Sequence, residues 1–288
     1  MTKHKNLPIF SLKNSRKVLL ILFIFVCNFF TFCSTEKSHF TKKEEKILDA
    51  FSFEEKKALE EFFYELLIEE KGIFVLFGSK PMVLTHVSSY KVHDPSASLL
   101  TTIDTSVWEK VKERCEVENY VMIKKPTQDP KIHDLIFANR TNIILTLQEN
   151  HQTFKDILGH DFSPMKEAFD LENFDSPFWN QVFNNHVLTG IILGYGQANA
   201  FFFDRWSSGS ESTDHKIAGY ETAPFDFPKD DEILEKEFSF ENIPLPAFRA
   251  LSTDTTVEKY IQERKRIRQA YQKRDPLIVT LKKLMEES

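Results

Sequence analysis

The chain has 288 residues, is 41% hydrophobic and carries 37 basic against 43 acidic residues, so it holds material for a sizeable core and too much of it for wholesale disorder. Lys3, Lys5, Lys13, Arg16 and Lys17 all precede Cys33 with no acid among them, which leaves 32 basic against 43 acidic residues beyond it, a net of −11. A body of that sign argues against nucleic acid as a partner, and three cysteines supply neither a disulfide framework nor a zinc site of Cys pairs.

Val18–Phe32 is apolar apart from Asn28 and Thr31, follows the basic cluster and gives way to a polar stretch. That is the layout of a secretory signal peptide. At about 1.5 Å per residue the run to Cys33 reaches roughly 24 Å, short of a hydrocarbon core of about 30 Å. The basic flank predicts an inside N-terminus and an outside body. Cys33 stands where a bacterial lipoprotein signal places its lipidated cysteine, although Phe30-Thr31-Phe32 lacks the usual small residue before it. Three readings stand: a lipid anchor on Cys33, an uncleaved anchor, and an ordinary signal or other targeting segment. Residues 1–33 are therefore expected to be a signal or membrane-anchor segment and 34–288 a single extracytoplasmic domain.

Along that domain, Ser52 and Glu55 form a capping box for a helix carrying Leu59, Phe62, Phe63, Leu66 and Leu67, with Gly72 at its end. Ile73–Phe77 and Met82–Val87, joined by Gly78-Ser79-Lys80-Pro81, predict an antiparallel hairpin. A helix follows over Thr105–Cys115, then short strands at Tyr120–Ile123 and Leu135–Ala138. Thr141 is expected to cap a helix over Asn142–Leu158, with His151 on its apolar stripe. Ser163-Pro164 and Ser176-Pro177 start two more. The second leads into Val187–Phe203, the most apolar stretch of the body, which predicts a helix entering the core. Residues 207–235 read as a long polar loop. Asp254 is placed to cap a helix over Thr255–Gln272, and Pro276 precedes a last one. The expected fold class is α+β, with a small, mainly antiparallel sheet (a hairpin near 73–87 plus short strands near 120–138) packed with several helices.

Candidate chemistry is sparse. Gly190, Gly194 and Gly196 lack the Lys-Ser/Thr of a phosphate loop and the spacing of the dinucleotide fingerprint. Gly190 and Gly194, four apart, are expected to thin one helix face for close packing. Gln197 and Asn199, amides amid apolar neighbours, are expected to sit in a hydrogen-bond network or to touch a ligand. Asp204, Ser207, Ser208, Ser210, Asp214 and His215 have no nucleophile elbow between them and read as a polar loop. No His pair has metal-ligand spacing, so no metal and no cofactor are expected. Cys115 reads as a buried small hydrophobe. The acidic run Asp226–Glu241 and the basic helix Lys259–Arg274 read as solvated faces.

Phe62-Phe63, Leu76-Phe77-Gly78-Ser79-Lys80-Pro81, Ile192-Leu193-Gly194-Tyr195-Gly196 with Asn199, Pro244–Phe248, and Tyr260, Arg264 and Tyr271 form a distinctive set spanning roughly 45–285. In these the chain resembles a family of exported proteins and lipoproteins of chlamydiae and their environmental relatives. The resemblance implies a diderm bacterial cell envelope or a surface facing a host compartment, and no activity or catalytic residue. The expectation is a membrane-tethered extracytoplasmic protein that binds or scaffolds an envelope or host protein or other component. The alternative is an anchored hydrolase whose acid and base residues are dispersed in the sequence.

Overall fold

A computed structural model describes residues 48–88, 103–130, 132–173, 175–208, 216–218, 240 and 242–286. The chain divides into units 1–41 and 42–288, and the described residues all lie in the second. Val18–Phe32 and Cys33 fall outside them, as do Ser210, Asp214, His215 and most of the loop and acidic run over 207–241. Among the described residues, no helix is long and apolar enough to cross a membrane.

The fold is α+β, built around a three-stranded antiparallel sheet. Strand β1 (Met82–Ser88) and strand β2 (Tyr120–Pro126) flank the central β3 (Ile132–Asn139), with Met82 opposite Ala138 and Tyr120 opposite Asn139. Alternate side chains enter two separate cores. Val83, Val87, Tyr120, Leu135 and Phe137 face one, and Met82, Val121, Ile123, Ile136 and Ala138 face the other. Both faces of the sheet are therefore covered, which is why its strands are nearly continuous in apolar residues.

The first core is closed by α1 (Phe53–Phe63) with its π-helical extension Tyr64–Glu69, α2 (Ile73–Leu76) and α3 (Ser106–Arg114), together with two helices from the C-terminal end of the chain. The capping box forms as expected: Ser52 Oγ accepts from Glu55 N at 3.2 Å, and Glu55 Oε2 from Ser52 N at 2.9 Å. Arg114 grips the same carboxylate with two 2.8 Å bonds and holds it at about 2, well below the usual range.

The expected hairpin near 73–87 does not form. Met82–Val87 is a strand, but its partner is β3, and the hairpin of this sheet joins β2 to β3. Ile73–Leu76 is a helical turn started at Gly72, whose carbonyl accepts from Val75 N and Leu76 N at 2.9 and 3.0 Å. All four of its side chains are at most 1% exposed. A short run buried on every side has no periodicity to separate strand from helix, and tertiary burial overrides the β preference of Ile73 and Val75.

The second core is closed by six helices: α4 (Arg140–Glu149), α5 (His151–Leu158), α6 (Pro164–Phe169, extended by a 3-10 turn to Glu172), α7 (Pro177–Phe183), α8 (His186–Ile192) and α9 (Gln197–Ser207). Asn139, not Thr141, caps α4: its Oδ1 accepts from Asn142 N at 3.0 Å. The single helix expected over 142–158 breaks at Asn150. Ser163 and Ser176 cap α6 and α7 as the Ser-Pro pairs predict. A short antiparallel pair follows, β4 (Lys216–Ala218) with β5 (Phe248–Ala250). Then come α10 (Thr256–Tyr271), whose first N–H is bonded by Asp254, and α11 (Pro276–Glu286), the two that complete the first core.

Candidate functional site

Val187–Phe203 is two helices with a sharp turn between them, where the sequence predicts one. Asn185 Oδ1 caps α8 by accepting from Leu188 N at 3.0 Å, which separates it from α7. The α8 backbone ends at Leu193, and Tyr195 N closes the end on Gly190 O at 3.0 Å. Gly194 then takes φ +79° and Gly196 takes φ +83°, values that cost an L-residue conformational energy. Gly190 does thin a helix face: a Cβ there would lie 2.9 Å from the Cβ of Ala200 on α9. Gly194 does not share that face. It ends the helix at φ +79°, so it does not pack mid-helix as the spacing predicts.

The two amides part company. Gln197 is exposed and reaches Thr153 Oγ1 at 2.6 Å. Asn199 is 1% exposed and fully used: its amide nitrogen donates to Tyr195 O at 2.7 Å and to Asp254 Oδ1 at 2.8 Å, and its oxygen accepts from Leu251 N at 2.9 Å. The hydrogen-bond network expected of it ties the turn to the segment entering α10.

A cavity of about 470 Å³ opens beside this turn, between α8, α9 and the β5 segment. Leu193, Tyr195, Ala200, Phe203 and Phe248 form its apolar walls, and Tyr195 is stacked on Phe248 at 5.0 Å. His186, Thr189, Asn199 and Arg249 supply the polar points. Arg249 Cζ lies over the Trp206 ring, 3.4 Å from its centroid. Of the residues singled out in the sequence, Gly190 and Asn199 line the cavity, and Gly194, Gly196 and Gln197 do not. The size and lining suit a small-molecule or side-chain pocket, since such sites are mostly apolar clefts with a few placed polar groups.

Under the other side of the turn lies a buried polar cluster that sequence reasoning passed over. Lys80 is 3% exposed; its Nζ donates to Leu193 O and stands 4.8 Å from the centroid of Tyr195. Among the described residues it has no carboxylate partner, and burial pushes its amine down to about 7. Tyr260 donates to Gly194 O at 2.7 Å, and burial carries its hydroxyl well above the usual range. Glu263, 3% exposed, accepts from Ser79 N at 3.2 Å. A Lys in a Gly-Ser-Lys-Pro turn reads as exposed, and a Glu on a basic helix reads as solvated. No local signal marks either as buried.

The dispersed catalytic set does not assemble among the described residues. Ser207 and Ser208 donate to their own helix, at Asp204 O and Arg205 O. Among the described residues Asp204 approaches His186, at 3.7 Å, and Thr189 donates its hydroxyl to Val182 O at 2.8 Å. No cluster of metal-ligating side chains occurs among the described residues. His151 is half-buried, stacked on Phe162 at 4.6 Å and 3.1 Å from Asp161. Cys115 is buried, and desolvation raises its thiol. Comparison with protein-family models, curated proteins and solved structures finds no match to this chain.

Proposed function

We propose that the protein is a membrane-tethered, extracytoplasmic binding protein that holds an apolar group of an envelope or host component in the pocket beside the Gly194–Gly196 turn. The observation that carries this reading is the pocket itself: about 470 Å³, walled by aromatic and aliphatic side chains, with the 193–195 backbone as its floor. That floor is fixed by Asn199, Tyr260 and Lys80, each bonded to the backbone of the turn, so the site is formed before anything enters it. The basic cluster and apolar run before Cys33 support the tether, through a lipid on Cys33 or through the segment itself. The resemblance to chlamydial exported proteins supports an envelope setting. The hydrolase alternative draws no support from the lining residues: none is a carboxylate, and the Thr189 hydroxyl is spent on Val182 O at 2.8 Å.

Ala247 gives a clean test, because it lines the pocket and is itself exposed. Replacing it with Trp should fill the entrance without disturbing either core. With the neutral probe N-phenyl-1-naphthylamine, the wild type is expected to show saturable fluorescence enhancement, weakened at least about tenfold in Ala247→Trp with little change in Tm. Equal binding by both proteins would remove the pocket from the reading.

A further inference from the structure

A second cavity, of about 390 Å³, lies between α3, the edge strand β2 and the start of α4. Trp108, Lys112, Tyr120, Arg140 and Phe169 are among its walls. Two buried donors belong to residues of this wall and have no acceptor among the described residues. One is Nε1 of Trp108, whose side chain is 1% exposed and set edge-on to Phe137 at 5.8 Å. The other is Nε of Arg140. The rest of that guanidinium is fixed: one terminal nitrogen donates to Glu118 O at 2.9 Å, the other is paired with Glu172, and the plane lies over Phe169 at 5.2 Å.

Indole and guanidinium nitrogens donate and cannot accept, and a buried donor left unmatched costs free energy. Both orphans therefore call for the same complement, an acceptor oxygen. An ammonium group would add further unmatched donors. The apolar side of the cleft is equally unsatisfied, since Phe169 is 60% exposed beside Val117 and Met122. We propose that this cleft is a second binding site, for a small carboxylate whose aromatic or aliphatic body lies against Phe169. The carboxylate complements Arg140 and Trp108, while Lys112, paired with Glu109 at 2.9 Å, offsets Glu118 on the same wall. This site is built on elements other than those of the pocket beside the Gly194–Gly196 turn, and it does not depend on that pocket's role.

The indole N–H resonance of Trp108 reports on it directly. It is one of three in the chain, and the peak lost in Trp108→Phe assigns it. Titrating the full body with benzoate should move that peak downfield to saturation. Benzylamine at the same concentrations should leave it in place. Arg140→Lys, which keeps the charge and loses Nε, should weaken benzoate at least about tenfold. Phe169→Ser, at an exposed position, should weaken it without affecting the fold. Ala247→Trp should change nothing at this resonance, which separates the test from that of the first pocket. A Trp108 peak that ignores benzoate, that responds equally to benzylamine, or that responds unchanged in Phe169→Ser overturns the proposal.

Discussion

Gly194→Ala is expected to destabilise the body by about 3 kcal/mol. Two costs combine. An alanine held at φ +79° carries about 1–2 kcal/mol of conformational penalty. Its Cβ would also lie 2.5 Å from the Tyr260 hydroxyl and 3.1 Å from Pro81 Cδ. The hydroxyl has to move, and it is the donor to Gly194 O, so a buried pair loses its hydrogen bond at about 1–3 kcal/mol. Gly159 is the internal control, with φ +77° and nothing within 4 Å of an added Cβ. Gly159→Ala should cost only the conformational part, about 1–2 kcal/mol. Denaturant midpoints measure both. Equal losses in the two variants would mean that the close approach of Tyr260 contributes nothing. The larger Gly194→Leu change also destabilises, through the same turn and not through overpacking of a helix face.

Lys80 should make stability depend on pH in an unusual window. A free lysine holds its proton up to 10.5, and Lys80 in the folded protein holds it only to about 7. Below pH 7 both states are protonated, and the fold carries the full cost of a buried charge. Between pH 7 and 10.5 the unfolded chain binds a proton that the folded chain does not, so stability rises with pH across that window. At 1.36 kcal/mol per pKa unit the limiting gain is about 5 kcal/mol. Lys80→Met removes the titration and leaves Leu193 O without its donor, a loss of about 1–3 kcal/mol. The variant is therefore expected to be more stable than the wild type at pH 6, by about 3 kcal/mol, and less stable above pH 10.5. Urea melts across this range test the crossing. Parallel profiles would mean that Lys80 keeps its charge in the fold.

The pattern of legibility has physical causes. Caps and Ser-Pro starts were readable because their chemistry is local: Ser52, Ser163 and Ser176 each bond a backbone N–H three residues on. The α+β class and the strands at Met82, Tyr120 and Leu135 followed from composition and turns. Ile73–Leu76 misled because burial on all sides erases periodicity. The glycines of Val187–Phe203 misled because an apolar run looks the same whether a helix continues or turns back on itself. Only φ at Gly194 and Gly196 distinguishes the two. The pocket is half visible in the sequence: Gly190 and Asn199 stand out, while Phe248 and Arg249 reach it from another segment. Lys80 was invisible because its burial is set by Leu193 and Tyr195, more than a hundred residues away in the chain.

The most direct measurement is native mass spectrometry of the protein extracted gently from the membrane fraction of its own cells. The predicted result is a polypeptide recovered with the membrane that carries a non-covalent apolar adduct, lost on denaturation and absent from Ala247→Trp. A bare polypeptide recovered from the soluble fraction would contradict both the tether and the occupied pocket.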